Sequence, residues 1–278
     1  MVTTTKMRWR MTTRDSDGPD LERSLTLLWS GRSRGRRGPR AQLTAERIAD
    51  AAIRIADADG LESLSMQRIA ADLGYSTMSI YNHIPGKDLL LEVMADVAAG
   101  KPPELGSAED FRHAVRRWVG ALWVGFQTRP WLLRIPLNHT PIGPNQLAWL
   151  DRLLQPLLKA GLAAGEARAA ALHLTAVVRG TAQISIDVRS AHKTDDGRSL
   201  TEAELAKALS ELIDPHDYPA LAAVHAAETG DNQPGSEQQP EEATLPAELS
   251  FGVDRFLDGV ETWAAAKFAV PAAAEQNP

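Results

Sequence analysis

Residues 65–90 read SMQRIAADLGYSTMSIYNHIPGKDLL, and this stretch decides the fold. Its apolar residues recur every three or four positions, which is the spacing that lets a helix bury one face. Ser65 can cap a short helix that stops at Gly74, and Ser76 can cap a second helix over 77–83. The stretch therefore predicts two short helices joined by a tight glycine turn.

The same spacing continues from residue 43 onward, with little of the alternation that marks a strand, so we predict an all-α protein. The run Lys101-Pro102-Pro103 interrupts the helical pattern, because proline lacks a backbone donor, and marks a domain boundary. The predicted divisions are a flexible basic arm over 1–40, a three-helix helix-turn-helix domain over 41–100 and a helical C-terminal domain over 104–278.

The C-terminal domain is predicted to contain several longer helices. The first ends near residue 128, a shorter one begins at residue 130, and the next runs to residue 159. Three more cover about 166–189, 201–212 and 246–267. Residues 226–245 are rich in Gly, Gln, Glu and Pro, so we expect a flexible loop there.

Positive charge is concentrated at the start of the chain. The formal net charge is -6, yet residues 1–40 carry ten Lys and Arg against four Asp and Glu. An arginine block interleaved with Gly and Ser cannot bury itself and suits contact with DNA phosphates or a minor groove. Arg36, Arg37 and Arg40 are the predicted contacts. A solvated tail, or a true start at Met7 or Met11, is the alternative.

The helix pair can place its second helix in the major groove of DNA while the first braces it. Ile80 and Ile84 supply a buried side, and Gln67 has an amide that can pair with adenine. The remaining side chains of the second helix offer hydroxyls, an amide and a thioether for bases or phosphates. They are Thr77, Met78, Ser79, Tyr81, Asn82 and His83. On spacing alone, an ordinary helical hairpin is also possible.

The residues themselves resemble the DNA-binding signature of the TetR (tetracycline-repressor) family. The matching groups are Ile69-Ala70 and Leu73-Gly74 in the first helix, Tyr81 and His83 in the second, and then Lys87 with Leu89-Leu90. The resemblance covers about residues 43–100. It implies that the second helix and Gln67 face DNA and that Lys87 contacts a phosphate. We add Thr44, Arg68 and Ser76, which lie at or near helix starts, as further predicted DNA contacts.

Two C-terminal segments, 143–150 and 251–259, resemble the branch of the family that contains the tetracycline repressors. In that branch two helices of each chain form a four-helix dimer bundle. The resemblance places the homodimer contact on helices of about 166–189 and 246–267. The helix over 246–267 repeats apolar residues at the spacing of a helix–helix interface. The helix over 166–189 contains Gly180, which would let another helix approach closely. Either stripe could instead belong to the core of one chain.

A small-molecule effector site in a helical bundle is mostly apolar with a few polar groups. The predicted ligand contacts are aromatic or polar residues that interrupt apolar helices. They are Trp123, Gln127, Trp131, Asn138, His139, Trp149, His173, Arg179 and Gln183. His139 lies on the loop where tetracycline repressors have a histidine near their magnesium–drug complex, but no carboxylate cluster accompanies it. We therefore predict neither a metal nor a cofactor, and the effector stays unknown.

Other classes of function have little support. The sequence has no cysteine, which excludes disulfides, thiolate metal sites and cysteine nucleophiles. It has no nucleophile elbow, phosphate-binding glycine loop or His-Glu-x-x-His motif, so we do not predict an enzyme. No apolar run is long enough to span a membrane, and we expect a cytoplasmic protein.

These features together predict a dimeric, ligand-responsive transcriptional regulator. We expect a repressor that occupies a palindromic operator on double-stranded DNA and is released when a small molecule binds its C-terminal domain. The alternative is a DNA-associated structural or protein-interaction module with the same fold that responds to no ligand.

Overall fold

Helices make up the regular structure of the residues that the computed structural model describes, which are 21–30, 43–105, 111–137, 140–191, 204, 207–209, 212–230 and 245–269. The α-helices are α1 (Leu21–Ser30), α2 (Ala45–Asp59), α3 (Met66–Leu73), α4 (Thr77–His83), α5 (Lys87–Ala99), α6 (Phe111–Thr128), α7 (Pro144–Lys159), α8 (Ala164–Ala191), α9 (Pro219–Gly230) and α10 (Ala247–Ala269). Short 3-10 helices cover Leu61–Ser63 and Pro130–Arg134. The described residues contain no strand, and the predicted all-α fold class is confirmed.

The chain divides into two compact units. The first combines the described residues up to Gly100 with Ile135–Leu147, and the second combines Lys101–Arg134 with the described residues from Ala148 onward. None of the described helices is long and apolar enough to cross a membrane.

The first unit is built on a core of fully buried aliphatic side chains from α2 to α5. These are Ile48, Ile69, Ile80, Ile84, Leu90 and Met94. Hydroxyl side chains cap three of its helices as predicted. Thr44 accepts a hydrogen bond from the Arg47 N–H, and Ser65 accepts one from the Arg68 N–H, each at 3.2 Å. The caps satisfy backbone donors that the first turn of a helix leaves unpaired.

Helix α1 corrects the prediction of a flexible arm over residues 1–40, because residues 21–30 are helical and pack on α5. Ser24 is buried on the packed side, and the indole N–H of Trp29 donates to the Ile142 carbonyl at 2.9 Å. The charged residues around this segment are the reason why its sequence predicts part of an arm. Arg36, Arg37 and Arg40 lie outside the described residues.

A buried carboxylate near the end of α5 caps the start of α7. Oδ1 of Asp96, which is 3% exposed, accepts hydrogen bonds from the Asn145 N–H at 3.0 Å and the Gln146 N–H at 2.9 Å. The Asn145 side-chain amide donates in return to the Asp96 carbonyl at 3.0 Å. Gly143 leaves the necessary room, because a Cβ there would lie 2.1 Å from Asp96 Oδ1. The negative charge also suits the partial positive charge of a helix N-terminus.

In the second unit α6, α7, α8 and α10 share one core, which includes Val115, Leu153, Leu174 and Leu257. Two arginines of α6 tie it to α10: Arg112 lies 2.8 Å from a carboxylate oxygen of Asp258, and Arg116 forms an ion pair with Asp254. The apolar stripe of α10 is therefore divided. Leu249 and Val253 are buried in the chain's own core, whereas Trp263 is 55% exposed.

Helix α9 extends to Gly230, so residues 226–230 of the segment predicted as a loop are helical. Within the predicted helix over 201–212, the described residues 204, 207–209 and 212 are helical. Leu221 and Val224 of α9 are each more than half exposed, which explains why a pattern of core-facing residues does not reveal this helix.

We expect Asp96→Ala to lower the free energy of unfolding by about 2 kcal/mol, because it removes a charged cap and leaves buried N–H groups of α7 unpaired. Asp96→Asn keeps an acceptor at the same place and should have a smaller effect. Urea unfolding followed by circular dichroism measures both changes. Equal stability of Asp96→Ala and the natural protein would show that the cap does not matter.

Candidate nucleic-acid interface

Helix α4 has one buried side and one polar, accessible side. Ile80 and Ile84, at the end of the helix, are both 0% exposed, as predicted. On the other side Met78 is 68% exposed and Tyr81 is 43% exposed. Asn82 and His83 are exposed, and Thr77 and Ser79 are half-buried. The helix therefore offers a contiguous row of hydrogen-bonding and thioether groups to a partner.

The turn before α4 is fixed by backbone geometry. Gly74 has a φ of 73° and a ψ of 31°, a left-handed conformation that side chains disfavour. The Tyr75 N–H donates to the Ala70 carbonyl at 2.9 Å, so backbone hydrogen bonds cap the end of α3. Helix α3 carries exposed Gln67 near its start. The pair thus has the bracing helix and the presenting helix of a helix-turn-helix.

Three of the predicted DNA contacts have local structural roles. Ser76 Oγ accepts from the Ser79 N–H at 3.2 Å and lies 2.8 Å from Ser79 Oγ. Thr44 caps α2 in the same way, and Arg68 forms an ion pair with Asp59. Their contact with DNA stays a prediction.

Lys87 is the first residue of α5 and is exposed. Residues 41–100 contain only four basic side chains against nine acidic ones. Arg54 lies 2.8 Å from a carboxylate oxygen of Asp72, and Arg68 is paired as described, whereas Lys87 has no ion-pair partner in the part of the chain that the structure describes. Gly86 contributes no side-chain cap to α5. A lysine beside an uncapped helix N-terminus is well placed for a phosphate.

Seven of the nine predicted effector residues are described, and each has contacts within the chain, while ligand binding by them stays a prediction. Trp131 is buried, and Trp123 packs against the core. The pKa of the Arg179 guanidinium is lowered by burial, and it donates to the Leu133 carbonyl at 2.7 Å. Gln127 accepts from Arg189, although its own Nε2 is buried without a hydrogen-bond partner.

The remaining described effector candidates also have partners within the chain. Gln183 donates to both carboxylate oxygens of Asp187 at 2.9 Å, and His173 stacks on Phe256 with ring centroids 4.8 Å apart. Trp149 forms an edge-on pair with Trp118. Asn138 and His139 lie outside the described residues, among which no group of three or more His, Asp or Glu could hold a metal ion.

A groove of about 520 Å³ runs between α8 and α10, which we name the α8–α10 groove. Its lining includes Glu166, His173, Phe256, Val260 and Trp263. The Lys267 ammonium lies 2.6 Å from both oxygens of the Glu166 carboxylate. That lysine, followed by the Ala163 N–H, lowers the pKa of Glu166 to about 2. This network ties the start of α8 to the end of α10.

We expect Glu166→Gln to lower the melting temperature most at neutral pH. Because the pKa of Glu166 is lower in the folded chain than its usual 4.5, its stabilisation is present above pH 4.5 and is lost toward pH 2. The difference in melting temperature between the natural protein and Glu166→Gln should therefore shrink over this range. A difference that did not depend on pH would contradict the ion pair.

The fold and this surface define a class of protein: a helix-turn-helix DNA-binding protein with a helical second unit. Two family models match the chain, "Bacterial regulatory proteins, tetR family" over residues 48–94 and "Tetracyclin repressor-like, C-terminal domain" over residues 103–262. The chain belongs to the TetR family of transcriptional regulators.

Relatives and solved structures agree with this membership. The HTH-type transcriptional repressor DrrR1 of Streptomyces coeruleorubidus is 32% identical over 90% of this chain and 88% of its own length. An HTH-type transcriptional regulator of Saccharopolyspora erythraea is 30% identical over 69% of this chain and 78% of its own length. The structure of ActR from Streptomyces coelicolor in complex with actinorhodin has a TM-score of 0.62 at 24% identity, covering 81% of this chain and 99% of that one. The similarity to ActR shows a shared fold.

Proposed function

We propose that the chain is a repressor that occupies a palindromic operator as a homodimer and leaves it when a small molecule binds the second unit. The observation that carries the proposal is α4, whose buried isoleucines leave Met78 and Tyr81 pointing to solvent. A relative that is named as a repressor supports repression rather than activation. Because the target is DNA, we propose that it acts in the cytoplasm.

The DNA contact depends on specific side chains more than on overall charge. The segment 41–100 is acidic, and two of its four basic groups are neutralised by neighbouring carboxylates. Binding then rests on the polar face of α4, on Lys87 and, as a further part of the proposal, on the arginines before residue 43. Base edges in the major groove supply the sequence preference, and phosphates fix the register.

We expect Tyr81→Ala and Lys87→Ala each to weaken operator binding about tenfold or more without unfolding the protein. The operator is first selected from random duplex DNA by the natural protein, and affinity is then measured by gel shift at several salt concentrations. Lys87→Ala should also reduce the slope of log affinity against log salt by about 1 per protomer.

Arg54→Ala is the matched control, because Arg54 is a basic residue of the same unit that is paired with Asp72. It should bind the operator as the natural protein does. If Tyr81→Ala and Lys87→Ala bound equally well, α4 would not be the recognition helix.

The α8–α10 groove is the proposed site of the second copy. Other apolar side chains of the same two helices are exposed: Leu172 and Ile184 on α8 are 71% and 66% exposed, and Phe251 on α10 is 67% exposed. Added Cβ atoms at Gly180 and Gly259 would meet nothing within 4 Å, so both helices present surfaces that another helix could approach closely. A symmetric dimer would bury these surfaces and match two half-sites.

We expect Ile184→Glu to convert the dimer to a monomer, because it places a charge at the centre of an apolar contact. Light scattering coupled to size-exclusion chromatography measures the mass. Leu158→Glu on α7 is the control, since Leu158 is also an exposed apolar residue, at 48%, but lies on a different helix. A dimeric Ile184→Glu protein would rule out this interface.

A further inference from the structure

A second groove in the second unit lies between α6 and α7. We name it the α6–α7 groove, and it is lined by Lys101, Pro103, Gly120, Ala121, Val124 and Trp149. Its volume is about 330 Å³, at the lower end of the range for small-molecule sites. Of the seven described residues among those predicted to bind the effector, only Trp149 lies in this lining.

The aromatic wall of the groove is held in place. The indole N–H of buried Trp118 donates to the Trp149 carbonyl at 3.0 Å, and the two ring centroids are 5.8 Å apart at an angle of 69°. Edge-on aromatic pairs and a backbone hydrogen bond both restrict movement. Trp149 therefore brings an indole that is packed edge-on against Trp118 to the lining of the groove.

The floor of the groove contains a glycine that the chain's own packing does not require. Glycine inside a helix destabilises it by about 1 kcal/mol relative to alanine, and Gly120 is in the middle of α6. A Cβ at this position would meet nothing within 4 Å, so no neighbouring group in the described structure needs its absence. The missing side chain leaves space in the groove.

A charged side chain lies in the lining of the groove. Lys101 is the single ionisable residue among the described residues of the lining, and it is exposed. Among the described residues, no carboxylate lies within ion-pair distance of it. An anionic group at the mouth of the groove would meet a cation without competition from a neighbouring acid.

We propose that the α6–α7 groove is the effector site and that its ligand is a planar aromatic molecule with an anionic group. The ring stacks on Trp149 above the space left by Gly120, and the anion pairs with Lys101. This inference rests on the proposed release by a small molecule and adds the chemical class of that molecule. The second copy of the chain is assigned to the other groove, on α8 and α10.

The test uses three probes of one shape with the full-length protein: 2-naphthoate, neutral 2-naphthamide and the cation 2-naphthylmethylammonium. Titration calorimetry should show that naphthoate binds about three- to fivefold more tightly than naphthamide, the size expected for an exposed ion pair. The cation should bind most weakly. Lys101→Gln should remove the preference for naphthoate over naphthamide, and Lys101→Arg should keep it.

Gly120→Leu should fill the groove and weaken naphthoate binding about tenfold or more. Gly125→Leu is the matched control, because Gly125 is also in α6 with nothing within 4 Å of an added Cβ but does not line the groove. It should bind within about twofold of the natural protein. Both variants should be at least as stable as the natural protein, because leucine favours a helix more than glycine does, and both should keep the natural operator affinity.

Several results would overturn the proposal: no binding of naphthoate at about 1 mM, equal binding of all three probes, or equal loss in Gly120→Leu and Gly125→Leu. Operator binding without any probe is measured separately. If it is intact while the groove tests fail, the effector site is wrong and the DNA-binding function stands. If it is absent, the proposed function itself fails.

Discussion

The reversal of the chain at Gly74 is the constraint on which the recognition surface depends. Helix α3 ends at Leu73 and α4 begins at Thr77, with three residues between them, which the left-handed backbone at Gly74 permits. Only with this turn do Ile69 and Ile80 meet in one core. Burial of Ile80 then fixes the rotation of α4 about its own axis, and the rotation decides that Tyr81 faces solvent. The backbone conformation at Gly74 thus determines, through packing, which side chains of α4 are exposed, and these are the ones that we propose contact DNA.

Charge has a different role in the two units. In the first unit acidic residues outnumber basic ones around the helix-turn-helix, so general attraction to DNA is weak and individual contacts decide affinity. In the second unit several ion pairs join helices of one chain, as Arg112 joins Asp258 and Lys267 joins Glu166. These cations orient helices, whereas Lys101 lines a groove and has no acidic partner among the described residues.

Local signals explain what the sequence could predict. Caps and glycine stops reproduced the bounds of α4 to the residue and those of α2, α3 and α5 closely, because these signals act within one turn of the chain. Features that depend on distant partners were missed: α1 is recognised only by its packing on α5, and Asp96 only by the α7 N–H groups it accepts from. Which effector candidates share one cavity could not be predicted, because polar interruptions of a helix do not reveal which helix faces them. Gly120 is not predicted as a groove residue because a missing side chain gives no polar or aromatic signal.

The cap that Asp96 provides has a consequence for how such regulators can be recombined. Asp96 lies before the proline linker at 101–103, whereas the N–H groups it binds, those of Asn145 and Gln146, lie some forty residues beyond it in the same compact unit. A chimaera that joined this DNA-binding segment to another regulator's C-terminal domain at the linker would leave the carboxylate without its helix. The unit that can be transferred is therefore discontinuous: residues up to 100 must be moved together with Ile135–Leu147. A chimaera that contains only the first part has a buried carboxylate at Asp96 without the N–H groups that donate to it.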